Sequence, residues 1–257
     1  MSHGELRPLR AQTSAVRDST RTTIREVRAD DDRGLDAVAA LHMELLSFGP
    51  MAGLGELFIR EVCYRMLMAE GQLRVVLYEV DGQPAGFAAY TAHTFGFHRS
   101  ALRRHLPRIS WLLLRSFAER PSRIVRFVRA LRVLGSRRGE LRGAQEPAGE
   151  MVCIAVRPAF LRSAFVRATG ARVSEELIRH CAHELHDSGM PQMRMLVDAG
   201  NKAVLLLYHL LGARFSPYVQ AGEPMVEVWF ALTPSSPVLR EGAAASRQHP
   251  APGVNGP

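Results

Sequence analysis

Residues 73–92, LRVVLYEVDGQPAGFAAYTA, constrain the fold more than any other stretch. Two runs with the side-chain period of a strand meet at Asp81-Gly82, and glycine accepts the positive φ that a tight turn between antiparallel strands demands. The chain therefore contains a β-hairpin. Around it strand-like and helix-like patterns alternate. Residues 23–28 (TIREVR) read as a strand. The acidic run 30–32 supplies N-cap candidates for a helix through Leu35, Val38, Leu41, Leu45 and Leu46, and residues 55–68 repeat a helical pattern. After the hairpin come a continuously apolar strand at 150–156 (EMVCIAV), a helix over 174–187, a strand at 192–197, a short helix after Asn201 and a strand at 225–232. The order predicts an α/β fold.

A chain of 257 residues with 47% hydrophobic content can bury one large domain, or a medium one with an insertion and tails. No run approaches the roughly 20 apolar residues of a membrane span, and residues 1–22 carry no apolar targeting core, so a soluble, cytoplasmic protein is expected. Cys63, Cys153 and Cys181 sit in apolar patterns and read as reduced core residues, outside any disulfide or CxxC metal framework. Residues 1–22 and 234–257 lack apolar periodicity and are expected to be disordered tails, leaving 23–233 as a single domain. Charge is unevenly placed. Residues 98–142 hold 13 Arg against two Glu, an excess of 13 − 2 = +11, whereas the whole chain carries +8, so the remainder sums to 8 − 11 = −3. The basicity belongs to one inserted segment.

Near the C-terminal end, Asn201 is placed to cap a helix and Gly212 to end it in the left-handed conformation, with Val204, Leu205, Tyr208 and Leu211 on one stripe. By itself Tyr208 reads as a core tyrosine. Two other features change its weight. The strand Ile154-Ala-Val156 is followed by Arg157-Pro158 and then by a helix, whose free N–H groups suit an anion. Asn201, Tyr208 and Gly212 also fall on the spacing Asn-x6-Tyr-x3-Gly.

Together these features resemble the GCN5-related N-acetyltransferase (GNAT) superfamily over residues 23–97 and 149–232, with the Arg-rich segment 98–142 as an insertion between the third and fourth strands. The resemblance implies a mixed, mostly antiparallel central sheet flanked by helices. It implies acetyl-coenzyme A as co-substrate, with Cys153, Ile154, Ala155 and Val156 along its pantetheine arm. For the phosphate loop two registers stand open. One aligns residues 169–174 with the family's Gln/Arg-x-x-Gly-x-Gly/Ala and puts Arg172 at its first glycine; the other starts at Arg167 and keeps Gly170 there. The loop set is therefore Arg167, Gly170, Ala171, Arg172, Val173 and Ser174, with Asn201 as a further coenzyme contact or a helix cap. Tyr208 would protonate the leaving thiolate, and Glu150, heading its strand, would act as general base.

The reading that follows is direct transfer of an acetyl group to a primary amine, on a small molecule or a glycan. A scaffold module of the same fold that no longer holds the coenzyme is the alternative, because the phosphate loop departs from the family pattern. No metal is implied, the histidines being scattered. Within 98–142, Ile124, Phe127, Val128, Leu131 and Leu134 gather on one helical face and Arg123, Arg126, Arg129 and Arg132 sweep the rest, while residues 102–117 form a second helical stretch interrupted near Pro107. Such a segment fits a solvated basic face or peripheral contact with an anionic membrane surface; it lacks the interleaved aromatics of a nucleic-acid site. Nothing in the sequence reads out an oligomeric state.

Overall fold

The computed structural model describes residues 20–47, 49, 51–92, 104–125, 127–128, 147–220 and 222–240. Strand β1 (Thr22–Val27) leads to helix α1 (Asp32–Leu45), where Asp31 is the N-cap and its side chain accepts from Gly34 N–H. Helix α2 is composite, with an α turn at Glu56–Phe58, a π-helical centre at Ile59–Met66 and an α turn at Leu67–Ala69. β2 (Arg74–Val80) and β3 (Gln83–Thr91) form the expected hairpin, and Asp81 and Gly82 both have positive φ, as a two-residue type I′ turn requires. Then follow α3 (Leu106–Glu119), β4 (Gly149–Val156), α4 (Ser163–Thr169), α5 (Val173–Asp187), β5 (Gln192–Asp198), α6 (Lys202–Leu210), β6 (Arg214–Gln220) and β7 (Glu223–Ala231).

The seven strands form one sheet in the order β1-β2-β3-β4-β5-β7-β6, antiparallel at every junction except the parallel β4/β5 pair. This is the mixed, mostly antiparallel, GNAT-like sheet that the resemblance implies. Each face has its own core. On one, Val76, Tyr78 and Tyr90 meet Leu177, Ile178 and Leu185 of α5 and Tyr208 of α6. On the other, Val75, Leu77 and Phe87 meet Leu35 and Val38 of α1 and Phe58, Ile59 and Tyr64 of α2. Strand alternation produces this division, and each fully buried side chain of such size stabilises by about 1.5–3 kcal/mol.

Three expectations need correction. The second helical pattern is not uniformly α: apolar spacing located α2 but could not report the wider turn at its centre. Strand β6 was not expected, because Pro217 and its solvent-facing residues break the alternation; it is the sheet's edge, where proline is tolerated. The break expected near Pro107 is present: Arg104 is helical, His105 is a turn, and α3 starts at Leu106 with Pro107 in its first turn, where its missing N–H costs nothing. Residues 234–240 are not a loose tail. Val238 and Leu239 are buried against α5, and Arg179 Nη1 donates to the carbonyls of Pro237, Val238 and Arg240 at 2.7–3.1 Å.

Helix α3 belongs to the basic segment and packs inward through Ile109 and Leu112, with Ser116 Oγ donating to Leu54 O at 2.6 Å. The helix expected through Ile124, Phe127, Val128, Leu131 and Leu134 falls largely on residues outside the described ones, as do residues 1–19 and 241–257. Among the described residues no helix is long and apolar enough to cross a membrane.

Candidate active site

The parallel pair β4/β5 is short. Gly149 registers with Met193 and Glu150 with Arg194, and there the pairing stops, although β4 continues to Val156 and β5 to Asp198. β5 then pairs along its length with β7, and β4 with β3, so a gap opens in the middle of the sheet from Glu150 onward. Strands in a parallel pair lose their hydrogen bonds together when they part, which leaves main-chain donors and acceptors of β4 without sheet partners.

The register against β3 says which ones. Arg157 N–H donates to Ala85 O at 2.9 Å, and Ala155 and Cys153 share its parity, opposite Phe87 and Ala89. Their main-chain groups are therefore directed at β3, and those of Ile154 and Val156 face the gap. Of the four strand residues expected along a pantetheine arm, Ile154 and Val156 turn their main-chain groups to the gap and Cys153 and Ala155 turn theirs to β3. The sequence could not separate them because the alternation is reset by a bulge: Met151 pairs with Tyr90 and Cys153 with Ala89, so Val152 has no partner on β3.

Beyond Val156 the chain makes a 3-10 turn (Pro158–Leu161) and α4, braced by an edge-to-face contact between Phe160 and Phe165 at 5.2 Å. This turn and helix fill the stretch between Val156 and the start of α5. The helix ends at Gly170, whose φ of 75° lies in the left-handed region. That conformation favours the register in which Gly170 is the first loop glycine. Ala171 N–H is spent on Thr169 Oγ1 at 3.1 Å and Arg172 N–H on Glu176 Oε1 at 2.9 Å. Helix α5 then starts at Val173 with no side-chain cap, and the N–H groups of Val173, Ser174 and Glu175 have no acceptor among the described residues. Three amide donors and the positive end of a helix dipole make an anion site there. The nearby carboxylates are engaged: Glu175 pairs with Arg179 at 2.8 Å, and Glu176 accepts from Tyr78 OH at 2.8 Å as well as from Arg172 N–H. The side chains of Arg167 and Arg172 are exposed beside it.

Asn201 behaves differently. It is the N-cap of α6, and its Oδ1 accepts from Val204 N–H at 3.3 Å, so of its two expected roles the structure shows capping. Two turns later Tyr208 is buried edge-to-face against Phe230, with ring centroids 5.8 Å apart. Its hydroxyl makes no hydrogen bond among the described residues, yet it is not one of the polar atoms sealed from solvent. Burial, with a smaller contribution from the Cys181 thiol, pushes the phenol above its ordinary pKa, so it stays protonated at neutral pH.

Glu150 stands at the apex where the two strands part, and it is buried. Alternation puts its side chain on the face opposite α5, together with Arg194 of β5 and Glu227 and Trp229 of β7. Arg194 pairs with Glu227 and lies over the Trp229 ring at 5.8 Å. This buried guanidinium was missed in the sequence, although a single Arg inside QMRMLV is a visible exception to an apolar strand. On the same face His42 Nδ1 lies 2.6 Å from Tyr64 OH, which lies 3.8 Å from Cys153 Sγ. Burial holds His42 down at about 4 and raises the Cys153 thiol to about 11, so both are neutral at ordinary pH and Cys153 is no nucleophile.

Neither a protein-family model nor a curated protein sequence matches the chain. Among solved structures it is similar to a GNAT-family acetyltransferase, described as putative, from Desulfovibrio desulfuricans (14% identity, 83% of this chain and 100% of that one, TM-score 0.48). It is also similar to the PaiA N-acetyltransferase of Thermoplasma acidophilum in complex with coenzyme A (11%, 81% and 98%, 0.46). A third is YncA of Salmonella typhimurium, described as a putative acetyltransferase, with acetyl-CoA (15%, 87% and 96%, 0.45). At TM-scores below 0.5 these likenesses leave activity and ligand to the chain's own geometry.

Proposed function

We propose that this chain is an acetyl-coenzyme A dependent N-acetyltransferase that moves the acetyl group directly to a primary amine. The observation that carries the reading is the parting of β4 from β5 immediately after Glu150, which turns the main-chain groups of Ile154 and Val156 toward an open gap. The co-substrate supplies an activated acyl carbon, and everything else falls to the protein. Ile154 and Val156 hydrogen-bond the pantetheine arm as a departed strand would. The free amides of Val173, Ser174 and Glu175 receive the diphosphate, with Arg167 and Arg172 adding charge. Gly170 and Ala171 shape the turn that leads into them. Glu150 takes the proton that the amine must lose, and Tyr208, approaching from the opposite face, returns one to the departing sulfur. The acceptor, a small-molecule or glycan amine, enters on the Glu150 face.

Calorimetry with acetyl-coenzyme A and with free coenzyme A tests the binding half, and saturable heat is expected for both. A panel of amino sugars, small amines and peptides, read by thiol release, tests the chemistry. One observation favours a second reading, a module that no longer holds the coenzyme: the Arg172 amide is already occupied by Glu176 and two carboxylates sit in the first turn of α5. Absence of saturable heat would favour that module.

A further inference from the structure

Helix α3 has two apolar faces. Ile109, Leu112 and Ser116 turn inward to the core, as an amphipathic helix requires, but the opposite stripe is Pro107, Trp111, Leu114 and Ala118 rather than polar residues. Trp111 is 58% exposed and Leu114 67%. Just after the helix Val125 is 74% exposed and Ile124 47%. Of the twelve large apolar side chains exposed among the described residues, six lie between 106 and 128, so the exposure is a patch and not scatter. The same stretch, residues 104–128, holds six Arg and one Glu, a local charge of 6 − 1 = +5. Arg104, Arg108, Arg115 and Arg120 are exposed, Arg104 while paired with Glu70 and Arg108 while paired with Glu61, and the Arg115 guanidinium lies 5.8 Å from the Trp111 ring.

We infer that this face docks on a membrane surface bearing anionic headgroups. Aliphatic side chains and an indole ringed by guanidinium groups match the boundary between acyl chains and phosphates, where tryptophan and arginine are both stabilised. A nucleic-acid duplex would satisfy the arginines but leave Leu114 and Val125 in water. A second copy of the chain would cover the apolar patch only by bringing its exposed arginines against the same arginines. The arrangement does not depend on the acetyl-transfer reading, since no residue of the gap or of the start of α5 takes part.

The test is flotation of the full chain with phosphatidylcholine vesicles, with and without phosphatidylglycerol, across a salt series. Binding to the anionic vesicles that weakens with salt is expected. The double variant Trp111→Ser/Leu114→Ser should lower partitioning by at least about tenfold, and Arg120→Gln by about fivefold, with circular dichroism and coenzyme binding unchanged. Failure of the wild-type chain to float with anionic vesicles overturns the inference, as does equal flotation with neutral ones. Retention on duplex nucleic acid without flotation would transfer the face to that partner. If only a chain lacking residues 129–146 floats, the face is covered by its own insertion and the inference falls.

Discussion

Helices α5 and α6 each follow one of the two strands that part, yet their starts are built differently. The start of α6 is closed: Asn201 turns its side chain back on Val204 N–H. The start of α5 is open, with Arg172 at the cap position and three amides unpaired among the described residues. A helix that leaves its first turn uncapped forgoes about 1 kcal/mol. An uncapped start beside the gap is therefore the one equipped to receive an anion, whereas α6 contributes a single side chain, Tyr208, further along. On the proposed function, binding falls to α5 and protonation of the leaving sulfur to α6.

Five substitutions sharpen or break this division. The largest effect is expected from Tyr208→Phe, which should lower kcat about 100-fold or more while leaving acetyl-coenzyme A affinity in place; an unchanged steady-state rate would remove the phenol from the mechanism. Next, Ser174→Pro deletes one amide donor at a position where the helix tolerates proline, so calorimetric affinity should drop about 10- to 100-fold with little loss of thermal stability. Its counterpart Ala203→Pro, in the first turn of α6, should leave affinity alone, and equal losses in both would dissolve the contrast. Asn201→Ala should cost about 1 kcal/mol in denaturant unfolding without weakening the coenzyme. The smallest effect is expected from Glu176→Gln, which keeps an acceptor for Arg172 N–H but removes a negative charge near the diphosphate, so affinity should rise about two- to fivefold.

Much of this was legible before any coordinates. Asp81-Gly82 fixed the hairpin because few residues tolerate two successive positive φ values, and Gly212, at φ 86°, ends α6 as its sequence implied. Caps and glycines are local devices, so local sequence reports them. What depends on long-range register was not legible. Whether Ile154 or Cys153 faces the gap is decided by pairing with β3 across the bulge at Val152, a partner some 60 residues away in the chain. The burial of Glu150 beside Arg194 depends on where β5 joins β4, and β6 was hidden because an edge strand needs no alternation. Helix α4 was equally hidden, since seven residues ending in Thr169 offer too short a pattern to register as periodic.

The central claim concerns individual amides, and amide hydrogen exchange followed by NMR with and without coenzyme A reads them one by one. Slower exchange on binding is predicted at Ile154, Val156, Val173, Ser174 and Glu175, with Cys153 and Ala155 unchanged because β3 already holds them. Saturable binding with those five amides unprotected, or with protection centred on the first turn of α6, would contradict the account.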